Sequence, residues 1–289
     1  MARAARNYAS ADRLRDEIYA LGWVVHDTPS GYDLTPRPPY QVVPTVAQLP
    51  DRSGDPDTHP MSLAVVVEGW PDDVRRCLTA VLAHSAAPLL VLDLGNVEGA
   101  GDVAHELAAA NPGRVEVWHA AQAAGWAEAR TALLRADSAA VHVWLDPSIE
   151  LTGEVVGTLS DAFDKPQIVV AGPWGVDVRD DWLEFADAPG PGECDAVLGY
   201  LLAVRRTAAL AVGGPDPRAT FYRNGDLEFC FLLRDAGGVA VQTEPLPVTR
   251  HRHRGYHDSD PTFRDAESRR TYNRFLERFR GREDLRTQR

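Results

Sequence analysis

From Ser62 to Leu145, short apolar runs alternate with amphipathic stretches, and that alternation leaves few folds open to the chain. Residues 62–67 read as a buried-type strand. Val74, Cys77, Leu78, Val81 and Leu82 follow at i, i+3, i+4, i+7 and i+8, which puts one apolar face on a helix. The pattern then predicts strands at 88–93, 114–118 and 141–145, with helices at 101–110 and 125–134 between them. Strands separated by helices of this length imply right-handed βαβ units and a mainly parallel sheet. After Pro147 the alternation loosens. Strands are predicted at 168–171 and 196–204 and helices at 206–212 and 226–235. The spacing of Tyr272, Phe275, Leu276 and Phe279 predicts a last helix.

Two regions precede this α/β part, read as spanning residues 61–289. In residues 1–35, Ala11, Leu14, Ile18 and Leu21 continue a stripe begun at Tyr8, and Gly22 ends the helix. Trp23-Val24-Val25 and residues 32–34 read as two strands joined by a turn at 27–31. Residues 36–60 hold many prolines and aspartates without periodicity, and read as a linker or a surface strap.

In open α/β sheets, ligands lie beyond the carboxyl ends of the strands. Glu68, Asp93 and Asp146 stand at three such ends. A carboxylate there accepts hydrogen bonds from a base or ribose hydroxyl, or binds a divalent cation. For any one of them, helix capping or loop solvation explains it equally well. Asp226 lies in the first turn of a predicted helix, where the dipole favours the ionised form and a base would find its charge supported. No P-loop motif is present, and no G-x-G-x-x-G follows the first strand, which disfavours Rossmann-type dinucleotide binding.

Together these segments resemble the family-two glycosyltransferases over residues 62–282. That resemblance implies an α/β GT-A fold and inverting transfer of a sugar from a nucleotide-diphosphate donor to an acceptor hydroxyl. Val91-Leu92-Asp93-Leu94-Gly95-Asn96 is similar to the family's V-V-D-N-G-S, and Gly125 to Arg130 to its G-x-x-x-A-R-N. Asp93 and Arg130 would then contact the nucleotide, with Glu68 at the opening loop. Asp146-Pro147-Ser148 stands where the family carries its metal-binding D-x-D, with Ser148 in place of the second acid. The implied cofactor is a divalent cation, Mn²⁺ or Mg²⁺, on Asp146 and on His253, the latter taking the place of a late ligand. Gly213-Gly214 to Arg234 resembles the G-G-F-D…E-D-x-D-L-x-x-R block, which makes Asp226 the catalytic base. Arg252, in the cluster Arg250 to Arg254, would help hold the pyrophosphate. Because Ser148 and Gly225 replace acids, a catalytically degenerate GT-A domain that binds a nucleotide or a partner is the alternative.

The first thirty-five residues resemble the C-terminal end of cysteinyl-tRNA synthetases, through Ala11-Asp12-Arg13-Leu14-Arg15-Asp16, Leu21-Gly22-Trp23 and Asp27-Thr28-Pro29-Ser30-Gly31. That implies a tRNA or protein contact through residues 1–35, and a tRNA-associated accessory protein is a third reading. Synthetase catalytic motifs are missing, which excludes aminoacylation. The net charge of −12 argues against a general nucleic-acid or anionic-membrane surface. Cys77, Cys194 and Cys230 form no C-x-x-C pair, so a structural zinc site is not expected. No signal-type segment and no apolar run of membrane-spanning length occurs. The chain reads as cytoplasmic, with association at the membrane periphery left open.

Overall fold

The computed structural model describes residues 8–179 and 181–288. Residues 1–7, 180 and 289, which fall inside the spans read from sequence, lie outside the described residues. The chain divides into two compact units at the boundary between Gln41 and Val42.

The first unit is a helix and a hairpin. Helix α1 (Tyr8–Ala20) is followed by β1 (Trp23–Thr28) and β2 (Gly31–Pro36), paired antiparallel from Trp23↔Pro36 to Thr28↔Gly31. Arg15 ties helix to hairpin, donating to the Val25 carbonyl at 3.1 Å and to Asp27 at 2.6 Å. Its apolar face is thin: Ala11 is buried, but Leu14, Tyr19, Trp23, Tyr32 and Leu34 are exposed.

The second unit is built on a nine-stranded sheet. Its first five strands in chain order are β3 (Val42–Val43), β4 (His59–Val67), β5 (Leu89–Leu94), β6 (Val115–Ala120) and β7 (Ala139–Leu145), which alternate with α2 (Pro71–His84), α3 (Ala100–Ala110) and α4 (Trp126–Ala136). The short strand β8 (Ile149–Leu151) and α5 (Val156–Ala162) follow. Next come β9 (Ile168–Gly172), β10 (Gly175–Val178), β11 (Phe185–Asp187), β12 (Gly192–Cys194), β13 (Ala196–Val197), β14 (Leu201–Arg205) and α6 (Arg206–Ala211). The chain ends with α7 (Gly225–Asp235), β15 (Val239–Gln242), β16 (Val248–Arg250), α8 (Arg254–His257) and α9 (Pro261–Phe279). Sheet order is β12-β15-β9-β14-β7-β4-β5-β6-β3, parallel from β3 through β7, with β14 antiparallel to both of its neighbours.

The apolar runs are explained by burial on both faces. Leu63, Val65 and Val67 pack with Val74, Cys77, Leu78 and Val81 of α2 on one face. Ala64, Val66, Leu90 and Leu92 pack with Ala129 and Leu133 of α4 on the other. A third cluster joins Trp144, Leu202 and Val204 to Phe229, Cys230 and Leu233 of α7, and to Phe275 and Phe279 of α9.

Three expectations differ from the structure. The strand expected at 196–204 is two strands, because Gly199 turns its N–H out of the ladder to Asp226 Oδ2 at 2.7 Å. The last helix begins at Pro261, eleven residues before Tyr272, with Asp260 capping the Phe263 N–H. Its first turns are polar and carry no stripe to read. Residues 42–60 belong to the second unit. They are held by polar contacts and by a few apolar residues without a period: Val42 pairs with His119, Arg52 forms a bidentate contact with Glu116 at 2.7 and 2.9 Å, and Val46 is buried with Val43 and Leu49 packed beside it. Among the described residues, no helix is long and apolar enough to cross a membrane.

Helix α7 is anchored to α9 by a buried ion pair. Glu228, 1% exposed, accepts two hydrogen bonds from Arg274 at 2.6 and 2.5 Å. Burial raises the Glu228 carboxyl above its ordinary range, and Arg274 opposes that shift. Arg274→Met leaves the charge uncompensated and is expected to destabilise the protein by about 3–5 kcal/mol at pH 7. Without Arg274 the folded-state pKa of Glu228 rises further above the unfolded value. The penalty is therefore relieved as pH falls through that raised pKa. Urea unfolding at pH 7 and pH 5 checks this: the difference from wild type shrinks at the lower pH.

Candidate functional site

A cleft of about 300 Å³ opens beyond the carboxyl ends of β4 and β7. Glu68 follows β4 and Asp146 follows β7, and both line it. The pairing of β16 with β8 brings the late histidine here. Thr249 lies opposite Glu150, His251 N–H donates to the Ser148 carbonyl at 2.8 Å, and the chain then carries His253 onto Asp146. His253 Nε2 lies 2.9 Å from Asp146 Oδ2, while Asp146 Oδ1 accepts the Ser148 N–H at 2.8 Å and the Ser148 hydroxyl at 2.5 Å. Burial pushes the Asp146 carboxyl up, but the His253 and Ser148 contacts outweigh it and leave the pKa below the usual value.

Arg130 projects from α4 into the same cleft. It is 9% exposed, and its Nη1 is buried without a hydrogen-bond partner among the described residues. Its guanidinium carbon lies 4.7 Å from the Trp126 ring centroid. Burial lowers its pKa, against the fields of Glu68, Asp146 and Asp226, so the cation sits among carboxylates without a direct partner at Nη1. Buried charges are normally paired and hydrogen-bonded. Glu68 is open to solvent at the cleft wall, yet the surrounding protein withdraws enough water to raise its carboxyl. The loop after β4 is tightly set, since Trp70 holds a positive φ of 56° at the start of α2 and its side chain lines the cleft.

Asp226 is close by but behind a wall. It is 6% exposed, and its oxygens accept the N–H groups of Gly199 at 2.7 Å and Leu227 at 2.9 Å. Burial raises its pKa and those two N–H groups oppose the shift. It lines a chamber of about 10 Å³ with Gly199, Tyr200 and five residues shared with the cleft: Trp126, Arg130, Asp146, Tyr222 and His253.

The remaining expected residues lie elsewhere. Asp93 is 1% exposed, and its carboxylate accepts from the Asn96 N–H at 3.1 Å and lies 2.9 Å from His119 Nδ1. A Cβ on Gly101 would sit 2.2 Å from Asp93 Oδ2, so α3 closes over this carboxylate and keeps it out of the cleft. Gly213 and Gly214, with φ of 84° and 82°, cap α6 through the carbonyls of Leu210 and Ala209, away from the cleft. Arg252 is exposed and paired with Asp258 at 2.7 Å. Arg254 lines the cleft instead, above the Trp70 ring. The structure adds Trp70, Trp126, Tyr200, Tyr222 and Arg254 to the site. Trp70, Trp126 and Arg254 stood inside segments already singled out, the opening loop at Glu68, Gly125 to Arg130 and Arg250 to Arg254. Among the described residues, no three His, Cys, Asp or Glu side chains gather as a metal cluster.

An unpaired buried cation costs stability until an anion arrives. Arg130→Met also removes the field that supports the Glu68 and Asp226 carboxylates, so the melting temperature of the ligand-free protein is expected to fall by a few degrees. The same change is expected to remove the stabilisation that inorganic pyrophosphate gives wild type. Differential scanning fluorimetry with and without pyrophosphate reads both effects.

No protein-family model matches the chain, and no curated protein matches it either. Solved structures do. A crystal structure of GalNAc-T7 with UDP, GalNAc and Mn²⁺ superposes with a TM-score of 0.62 at 17% identity, covering 76% of this chain and 48% of that one. The chain thus spans about half the length of GalNAc-T7. The mannosyltransferase PcManGT from Pyrobaculum calidifontis, in complex with GDP-Man and Mn²⁺, gives 0.56 at 15% identity, covering 83% and 68%. With the parallel sheet order and the antiparallel β14, the likeness assigns the second unit to the GT-A fold.

Proposed function

We propose that the chain is a glycosyltransferase that takes a sugar from a nucleotide-diphosphate donor. The observation that carries this reading is the buried Arg130 guanidinium, with Nη1 unpartnered, at the strand-end cleft of a GT-A fold. A diphosphate is the anion whose charge and oxygen geometry suit a guanidinium fork. Glu68 lines the cleft and would accept a hydrogen bond from the base or from a ribose hydroxyl.

The residues present fit a divalent cation in part. Asp146 offers a carboxylate and His253 an imidazole at the same point of the wall, and this mixed oxygen and nitrogen set suits Mn²⁺ better than Mg²⁺. Asp146 and His253 would hold the ion, with donor phosphate oxygens completing its shell. When bound, the ion neutralises charge on the departing diphosphate.

The proposed reaction is a single displacement with inversion. The acceptor oxygen bonds to the anomeric carbon from the face opposite the diphosphate, and the carbon–oxygen bond to the diphosphate breaks. The electron pair leaves with the nucleotide, and the acceptor proton passes to Asp226. The second reading, nucleotide binding without turnover, is favoured by the burial of Asp226, 6% exposed in a chamber of about 10 Å³. For residues 1–35 the proposal stays a tRNA or protein contact.

A melting-temperature panel with UDP and GDP in Mn²⁺ tests donor binding: at least one nucleotide should stabilise the protein, and no shift with any would reject both readings. With a donor in hand, Asp226→Asn should lower transfer by about 10²–10⁴-fold while sparing donor binding. Unchanged transfer would remove Asp226 as the base.

A further inference from the structure

If Asp226 is the base, an acceptor hydroxyl must reach it, and in this structure none can. The chamber it lines, about 10 Å³, is at the limit of what holds one water. Cleft and chamber share Trp126, Arg130, Asp146, Tyr222 and His253. Of these five, four are fixed. Trp126 packs against Trp144 at 5.9 Å, and its backbone N–H donates to the Thr220 carbonyl at 3.0 Å. Arg130 lies on Trp126, and Asp146 and His253 hold each other.

Tyr222 is held differently. It stands in the irregular segment before α7, half-buried, with its hydroxyl hydrogen-bonded to that of Tyr200. Its ring meets the His253 ring at 4.5 Å and the Phe221 ring at 4.8 Å. Just outside lie Tyr256, at 6.3 Å from Tyr222, and Phe263, 48% exposed on the first turn of α9. These rings offer a displaced Tyr222 a second apolar seat. The segment is pinned on both sides of it, at Ala219 and Thr220 by α4 and at Gly225, whose N–H donates to the Tyr222 carbonyl at 2.9 Å. Motion therefore falls to the Tyr222 side chain, at the loss of one neutral hydrogen bond and of its ring contacts with His253 and Phe221.

We propose that Tyr222 is a gate on Asp226, rotating outward to join chamber and cleft and surrendering its place to the acceptor hydroxyl. Tyr222 is thus a positioning residue, acting through Asp226. While the gate is shut, water is kept from the base, which protects a bound donor from hydrolysis. This inference rests on the proposed transferase reading for its purpose, but the gate itself is measurable without any substrate.

The test is carboxyl labelling of the full chain by a water-soluble carbodiimide and glycine ethyl ester, read by peptide mass spectrometry. The exposed Asp164 serves as internal reference. In wild type, Asp226 should label at least about 100-fold more slowly than Asp164, since labelling requires local opening. Tyr222→Ala should bring Asp226 to within about tenfold of Asp164. Tyr222→Phe keeps the ring, loses only the hydroxyl bond, and should speed labelling by about fivefold, which decides the matter if the alanine variant does not fold. Asp226 labelling at the Asp164 rate in wild type, or unchanged slow labelling in the folded variants, would overturn the gate. Failure of the base reading looks different: Asp226→Asn would retain transfer whatever the labelling shows.

Discussion

The site is organised around one charge. Arg130 is placed by α4 at the floor of the cleft, and the protein surrounds it with Glu68, Asp146 and Asp226 without giving Nη1 a hydrogen bond from any of them. Had one of those acids taken up Nη1, the cation would be neutralised at close range and of less use to a ligand. Two of the three acids are occupied otherwise. Asp146 is engaged by Ser148 and His253, and Asp226 by the N–H groups of Gly199 and Leu227. The result is a buried positive group with one unmade bond, on a side chain that lines the cleft at the place where a GT-A sheet ends.

Two long-range connections keep this arrangement. Strand β16 returns to pair with β8, and without that pairing His253 would not meet Asp146, 107 residues earlier in the chain. The Asp226 contact with Gly199 divides β13 from β14 and holds the Leu198-Gly199-Tyr200 turn beside the cleft. A Cβ on Gly199 would approach the Asp226 Cβ to 3.1 Å, so the close approach favours glycine there. The same contact that breaks the sheet thus builds the chamber.

The first half of the fold was legible because the central parallel strands β4, β5 and β7 are buried on both faces and the helices between them are amphipathic. Residues 62–145 could be read from those two periods alone. Residues 42–60 and the first turns of α9 could not, since polar contacts such as Arg52 with Glu116 leave no period. The candidate site was legible where a charged residue ends a strand or stands in a helix facing it, as for Glu68, Asp146 and Arg130. Asp93 had the same signal and a different fate. Its neighbours Asn96, Gly101 and His119 close over it, and strand-end position carries no trace of that. Tyr200 and Tyr222 escaped notice because an aromatic residue in a loop has no periodic mark, and its role follows only from what it walls off.

The central claim is that Arg130 is the anion contact of a nucleotide-diphosphate site. A crystal structure of the full chain with GDP or UDP and Mn²⁺ tests it most directly. A diphosphate oxygen is expected within hydrogen-bond distance of Arg130 Nη1, in the cleft beside Asp146 and His253. A nucleotide bound elsewhere, with Nη1 of Arg130 still unpartnered, would contradict it.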